Sequence, residues 1–524
     1  MSQMLKSSGG LAAATMMSRI MGMVREMVYA SFMGVGMVAG AFQLAFMIPN
    51  LFRRLLGEGA LTAAFIPIFK EKEKTTSEAE MWRAANAVIS GLLVVASALS
   101  VLAILGISVA LAAHQFEEKT ELMLRLLRVM FPYMLLVCLT AVFMGMLNAR
   151  GHFFIPASGA LVMNVVMISS VFFLAPHMGT TLEQQIFAVA IGVLASGVLQ
   201  ALFQIPWLRG EGFRYHWVSP WKDATVKRVV RQMIPGTIGV AAFQINMLTT
   251  YGIAFWVDPT IAASFVVAVR LMELPQGVFG VSLATYLLPT LSGLAAEKKY
   301  DEFRRTMNHG IDYLVFVNLL ATLMLFFLAT PMIRLLFEHG KFGPEATAKV
   351  TWALVCLSPG LLAFSLVNIL ARAFYALGDT KTPMQISIAC LVINLIFAMT
   401  FVWKLRQGGL GLANTISACF NVSLLLYALR RKLGRLEFAS LRKMMWPILA
   451  AGAVAAVLAA GISYKWESAI GHKGLVRQIG EVFLPMTVAA LAYWTVAFLF
   501  KVAPAVELKD LVLQRILPGK SNAS

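Results

Sequence analysis

Three short stretches place arginine and glutamate inside otherwise apolar runs. "SRIMGMVRE" carries Ser18, Arg19, Arg25 and Glu26; "PNLFRRLLGEGA" carries Asn50, Arg53, Arg54 and Glu58; "VRLMELP" carries Arg270 and Glu273. Seven residues make about two helical turns, so Ser18 lies over Arg25 and Arg19 over Glu26. In the second stretch Asn50, Arg54 and Glu58 recur at intervals of four and share one helix face. Any of these charges facing lipid at the bilayer centre costs at least about 2.5 to 3.5 kcal/mol, so they face a watery cavity or each other. Five arginines against three glutamates leave positive charge without an internal partner, and a cationic surplus in a cavity suits an anion. Arginine stays ionised in a low dielectric and its planar fork binds phosphate oxygens in pairs, which points to a phosphate or diphosphate group rather than to a transported cation.

The elements that position these residues are membrane helices. Of the 524 residues 59% are hydrophobic and 13% charged, with a mean hydropathy of +0.76, which excludes a soluble domain of this length. Apolar runs near 20 residues recur about fourteen times between residues 10 and 501, and no alternating barrel pattern interrupts them, so the expected fold is all-α and integral to the membrane. Lysine and arginine crowd alternate loops, at 70–83, 209–231, 298–305, 430–443 and after Lys501, which places those loops and both termini in the cytoplasm. The net charge of +18 then reads as positive-inside topology and contact with anionic lipid, not as nucleic-acid binding.

The chain also repeats itself. "MIPNLFRRLLGEGALTAAFIPIF" is similar to "ELPQGVFGVSLATYLLPTLSG", and Pro49 and Pro275 lie 226 positions apart. "LNARGHFFIPASGALVMNVV" matches "YALGDTKTPMQISIACLVINLI" through a G-x-x-x-x-P element, with Gly151 and Gly378 separated by 227. One offset spans six helices, an even number, so both halves enter the membrane in the same direction. The expected organisation is an N-terminal six-helix lobe over 1–217, a C-terminal lobe with its basic linker over 218–443, and an unpaired helix pair over 444–524. Two similar lobes around a central site are a plan for alternating access. Cys138, Cys356, Cys390 and Cys419 stand alone in apolar runs, and the seven histidines form no ligand spacing, so no catalytic residue, metal or cofactor is expected.

"SRIMGMVRE", "AFMIPNLFRRLLGEGALTAAFIPIF", "RLMELPQGVFGVSLATYLLPTLS" and "GDTKTP" resemble the MurJ (formerly MviN) lipid II flippase family of the multidrug/oligosaccharidyl-lipid/polysaccharide exporter superfamily. The resemblance implies fourteen helices, two six-helix lobes around a cationic cavity, and a last helix pair forming a groove for the undecaprenyl tail. It implies a transporter rather than an enzyme, in the bacterial cytoplasmic (inner) membrane, that moves the undecaprenyl-diphosphate-linked peptidoglycan precursor from inner to outer leaflet. Its partners would be that lipid and the surrounding membrane lipids. The family's functional arginines fall on Arg19, Arg25, Arg53, Arg54 and Arg270, and its acidic charge partners or gating groups on Glu26, Glu58 and Glu273. Two departures stand out: Gly40 in "AGAF" and Val269 replace carboxylates found in relatives, which puts any ion coupling through those positions in doubt. A flippase for another undecaprenyl-linked glycan, such as an O-antigen or capsule unit, would want the same cavity, but such relatives usually stop at twelve helices. An anionic diphosphate moved outward runs down the membrane potential by about 2.3 kcal/mol per charge per 100 mV, so the potential is expected to set direction.

Overall fold

The computed structural model describes residues 2–53, 61–434, 436 and 438–516, and side chains within them except at 2–15, 62–63, 235–240, 242–243 and 510–516. Among the described residues the fold is all-α, with no strand. Arg54 and Glu58, two of the sequence-derived site residues, lie outside the described residues.

The first seven helices carry the N-terminal candidate residues. They are α1 (Ser2–Met33), α2 (Met37–Phe52), α3 (Thr62–Thr75), α4 (Glu78–Ala113), α5 (Glu118–Met130), α6 (Tyr133–Ala149) and α7 (Phe154–Ser169). Gly34, at φ +62°, makes the sharp turn between α1 and α2, a backbone conformation that side-chain-bearing residues rarely adopt. Ser77 caps α4 by accepting from the Glu80 amide, and Glu78 and Glu80 set negative charge in its first turn. Pro132 follows α5, which bends by 41° into α6. Past α7 the chain widens through a π-helical turn, Ser170–Leu174, and tightens through a 3-10 turn, Ala175–His177, before α8 (Leu182–Gly210), which opens on a reciprocal Thr181–Gln184 cap.

The later helices are α9 (Ala224–Val257), α10 (Pro259–Pro275), α11 (Ser282–Ala296), α12 (Tyr300–Phe327), α13 (Ala329–Phe337), α14 (Pro344–Leu357), α15 (Gly360–Ala376), α16 (Lys381–Leu433), α17 (Ala439–Ala469), α18 (Leu475–Leu499) and α19 (Ala503–Ile516). Directly after Pro275 the ladder widens into a π-helical turn, Gln276–Val281, before α11 begins. The 53-residue α16 holds two helices joined at Arg406, whose φ of 52° and ψ of −129° break the helical path. Among the described residues eight helices are long and apolar enough to cross a membrane, and ten when the two bent pairs, α5 with α6 and α14 with α15, each count as one span. Since α16 alone contains two, and the segment between α2 and α3 lies outside the described residues, fourteen spans are compatible with this length and composition.

By contacts the chain forms two compact units, Met1–Ala263 with His339–Phe342, and Ser264–Glu338 with Gly343–Ser524. The first is built on aromatic packing of Phe65, Phe69, Trp82, Phe143 and Phe213. The second packs Leu287, Phe303, Leu370, Phe374 and Leu425 into one core, and α17 with α18 into another. In that second core Ala451, Ala455, Ala459, Ala489 and Ala497 are buried and let the two backbones approach, while Tyr493 donates to the Phe316 carbonyl of α12 at 2.8 Å.

Candidate functional site

In the first unit Ser18, Arg25 and Glu26 lie where α1 packs on α7. Arg25 lies only 12% exposed, and its Nη2 donates to Glu26, whose side chain is equally enclosed. Its Nη1 donates to Asn164 Oδ1 at 3.1 Å and touches Met167 Sδ at 3.9 Å. Asn164 in turn donates from Nδ2 to the Ser18 carbonyl at 3.3 Å, so one asparagine of α7 spans two turns of α1. The guanidinium stands 5.9 Å from the centre of the buried Tyr29 ring, a cation–π distance. Nε of Arg25 is buried without an acceptor, which keeps one charge-assisted donor uncommitted.

Glu26 is bonded by its neighbour Arg25, and Arg19, two turns earlier on α1, is exposed. Asn50 and Arg53 are partly buried at the end of α2. Arg270 and Glu273 belong to the second unit, one turn apart on α10, and bond at 2.8 Å with side chains 38% and 44% exposed. An exposed pair of this kind contributes little stability, about 0 to 1 kcal/mol, so the arginine can exchange partners cheaply. Arg25 and Arg270 are each paired with a carboxylate of their own helix.

Asn164 is the participant that the sequence did not announce. Its signal is a repeated tetrapeptide, "LVMN" at 161–164 and "LVIN" at 391–394. In the second half Asn394 donates to Asn414 Oδ1 at 3.2 Å, both on α16, rather than serving an arginine.

Gly40 has a physical reason to lack a carboxylate. A Cβ at this position would lie 2.4 Å from the carbonyl oxygen of Pro259 and 2.8 Å from its Cβ, so α2 meets the start of α10 backbone to backbone. No side chain fits there without moving a helix. Among the described residues no group of three or more His, Cys, Asp or Glu side chains is arranged to hold a metal.

A model of the lipid II flippase MurJ family matches residues 29–479. A probable lipid II flippase MurJ of Vibrio cholerae is 33% identical over 435 residues, 81% of this chain and 82% of its own. The lipid II flippase MurJ of Burkholderia cenocepacia is 33% identical over 80% of this chain and 82% of its own, and a Rhizobium tropici relative is 32% identical over 93% of both. Among solved structures, a lipid II flippase MurJ in an inward closed conformation superposes with a TM-score of 0.75 at 22% identity, covering 96% of this chain and 99% of its own. An inward-facing multidrug transporter of the MATE family and MOP superfamily gives 0.63 at 18% identity over 82% of this chain and 98% of its own.

Proposed function

Because the chain belongs to the MurJ lipid II flippase family, we propose that it carries the undecaprenyl-diphosphate-linked peptidoglycan precursor from the inner to the outer leaflet of the bacterial cytoplasmic membrane. The observation that carries this reading is the family match across residues 29–479, which includes Arg53 and Arg270. It is a multi-span transporter rather than an enzyme. In this reading the repeated lobes, 1–217 and 218–443, rock about a cavity lined by Arg19, Arg25, Arg53, Arg54 and Arg270, with Ser18 and Asn50 beside them and Glu26, Glu58 and Glu273 as charge partners.

The guanidinium groups receive the diphosphate in bidentate hydrogen bonds, and Arg25 carries one donor, Nε, that no acceptor occupies in this structure. The carboxylates offset part of the positive charge of the empty cavity and yield their arginines as phosphate oxygens arrive. Residues 444–524 form the groove for the polyprenyl tail, and both termini are cytoplasmic. The family match across residues 29–479 supports this reading over an O-antigen or capsule flippase.

Depleting the protein in its own host and measuring the lipid-linked precursors of the inner leaflet tests the substrate. Wall precursor should accumulate; accumulated O-antigen lipid with normal wall precursor would replace this reading by the other. Direction follows the membrane potential, and collapsing it with an ionophore at constant pH gradient should stop flipping in reconstituted vesicles. Flipping that persisted until the pH gradient was removed would overturn the potential as the driving force.

A further inference from the structure

A second buried charge cluster lies in the C-terminal unit, on helices that carry none of the arginine-site residues. Arg334 of α13 is 13% exposed, and its Nη1 donates at 2.7 Å both to Glu467 Oε2 of α17 and to Glu481 Oε1 of α18. Two carboxylate oxygens thus share a single nitrogen and lie within about twice that distance of each other. Glu338, one turn along α13, has Oε2 at 3.9 Å from Arg334 Nε and accepts from the Thr347 hydroxyl of α14 at 2.5 Å. His472, in the turn between α17 and α18, meets Glu467 Oε1 at 2.8 Å through Nδ1. These five titratable groups, Arg334, Glu338, Glu467, His472 and Glu481, are those that the contacts bring together here.

Their charges do not balance. Three carboxylates surround one guanidinium, and Glu338 and Glu467 each have a further polar partner in Thr347 and His472. Glu481 has none beyond the shared nitrogen, although it is 2% exposed and the sole buried glutamate among the described residues. Its second oxygen, Oε2, is buried without a donor. An ionised carboxylate can only accept, so a buried oxygen with no donor is costly, whereas a protonated one becomes a donor itself. A second carboxylate beside it is the acceptor that such a donor requires, and two like charges at this separation do not both ionise.

We propose that Glu467 and Glu481 form a carboxyl pair sharing one bound proton, and that this proton-binding site clamps the C-terminal helix pair to α13. A metal cation does not suit the position, because the Arg334 nitrogen already stands between the two carboxylates where the cation would sit. With the proton in place, Arg334 neutralises one carboxylate and the proton the other. When the proton leaves, two negative charges compete for one guanidinium at the α17–α18 turn, and the clamp loosens. The site is independent of the flippase reading, since it concerns the protein without cargo.

The test is infrared spectroscopy of the purified full-length protein, with glutamate carrying a ¹³C-labelled side-chain carboxyl, titrated from acid to alkaline pH. A protonated-carboxyl band that moves with the glutamate label should be present at neutral pH, disappear on alkalinisation, and be missing from Glu481→Gln. The labelled wild type alone decides the matter if the variant does not fold: a spectrum without protonated glutamate at neutral pH overturns the proposal.

Thermal stability is the second readout. A folded state that holds a proton the unfolded chain releases loses stability as pH rises. The wild-type melting temperature should therefore fall by several degrees from neutral to alkaline pH, and Glu481→Gln, which keeps the neutral form, should lose that dependence. A wild type whose melting temperature answers to sodium at constant ionic strength rather than to pH would make the ligand a metal cation and overturn the proton.

Discussion

The turn from α6 to α7 and the turn from α15 to α16 occupy matching places in the two repeated halves, yet charges of opposite sign hold them. Gly151 and Gly378 both take positive φ, +89° and +73°, and each is followed five residues later by a proline in the first turn of the next helix. In the first half the turn is cationic. Arg150 donates to Glu211 at 2.7 Å and to Glu73 at 2.8 Å, and His152 meets Glu211 at 2.7 Å. In the second half it is anionic: Asp379 accepts from Lys432 at 2.6 Å and from the Thr382 amide at 3.0 Å. Duplication kept what backbone geometry demands, glycine where φ is positive and proline where an amide has no partner, while the charge that fastens the turn was free to invert.

The arginine stations differ in the same way. Arg25 is enclosed and held from two helices, whereas Arg270 is half-exposed and pairs with Glu273 one turn along its own helix. Arg25→Ala should produce one of the two largest effects in the molecule. A charge-assisted hydrogen bond is worth about 1.5 to 3 kcal/mol, which corresponds to roughly a 10- to 100-fold loss of flipping. Arg25→Lys should recover only part of it, because the bidentate fork is lost. Asn164→Ala should act in the same direction but less, since Glu26 still positions the guanidinium. Arg270→Ala should match Arg25→Ala in flipping while leaving thermal stability unchanged, because its ion pair is exposed. Flipping assays in reconstituted vesicles beside melting curves separate the two, and full activity of both alanine variants would return the arginines to a structural role.

Gly40 sharpens the comparison with relatives. If the missing carboxylate were only a lost function, Gly40→Asp would restore it. The 2.4 Å approach of its would-be Cβ to the Pro259 carbonyl predicts instead a destabilisation of about 1 to 3 kcal/mol, with no gain of pH-dependent flipping. Melting temperature and flipping rate across pH check this together.

Much of the plan was legible from sequence. The helical class follows from runs of apolar residues whose only hydrogen-bonding solution in lipid is the helix, and the repeated G-x-x-x-x-P turn lies where both positive-φ glycines occur. What could not be read is which helix faces which. Asn164 is one polar residue in an apolar run until α7 packs on α1, and Arg334, Glu467 and Glu481 are 133 and 147 positions apart, three separate charges near helix ends until α13, α17 and α18 meet.

The smallest expected effects concern the two turns themselves. In Glu211 the bonds from His152 and then Arg150 hold the carboxyl below its ordinary range, and in Asp379 the Lys432 ammonium, followed by the Thr382 amide, brings it to about 2. Both carboxyls are depressed in the folded state, so the stability they supply is present above the ordinary carboxylate value, about 4, and is lost as pH falls. Glu211→Gln breaks two partnerships and should cost about 1 to 2 kcal/mol near neutral pH, and Asp379→Asn about 1 kcal/mol, because these groups lie at the helix ends where solvent screens them. The wild-type melting temperature should decline as pH drops from about 4 toward 2, and Asp379→Asn should remove part of that decline while leaving the Glu211 contribution in place. An acid branch identical in wild type and Asp379→Asn would mean that the anionic turn, unlike its cationic counterpart, is fastened by Gly378 and Pro383 alone.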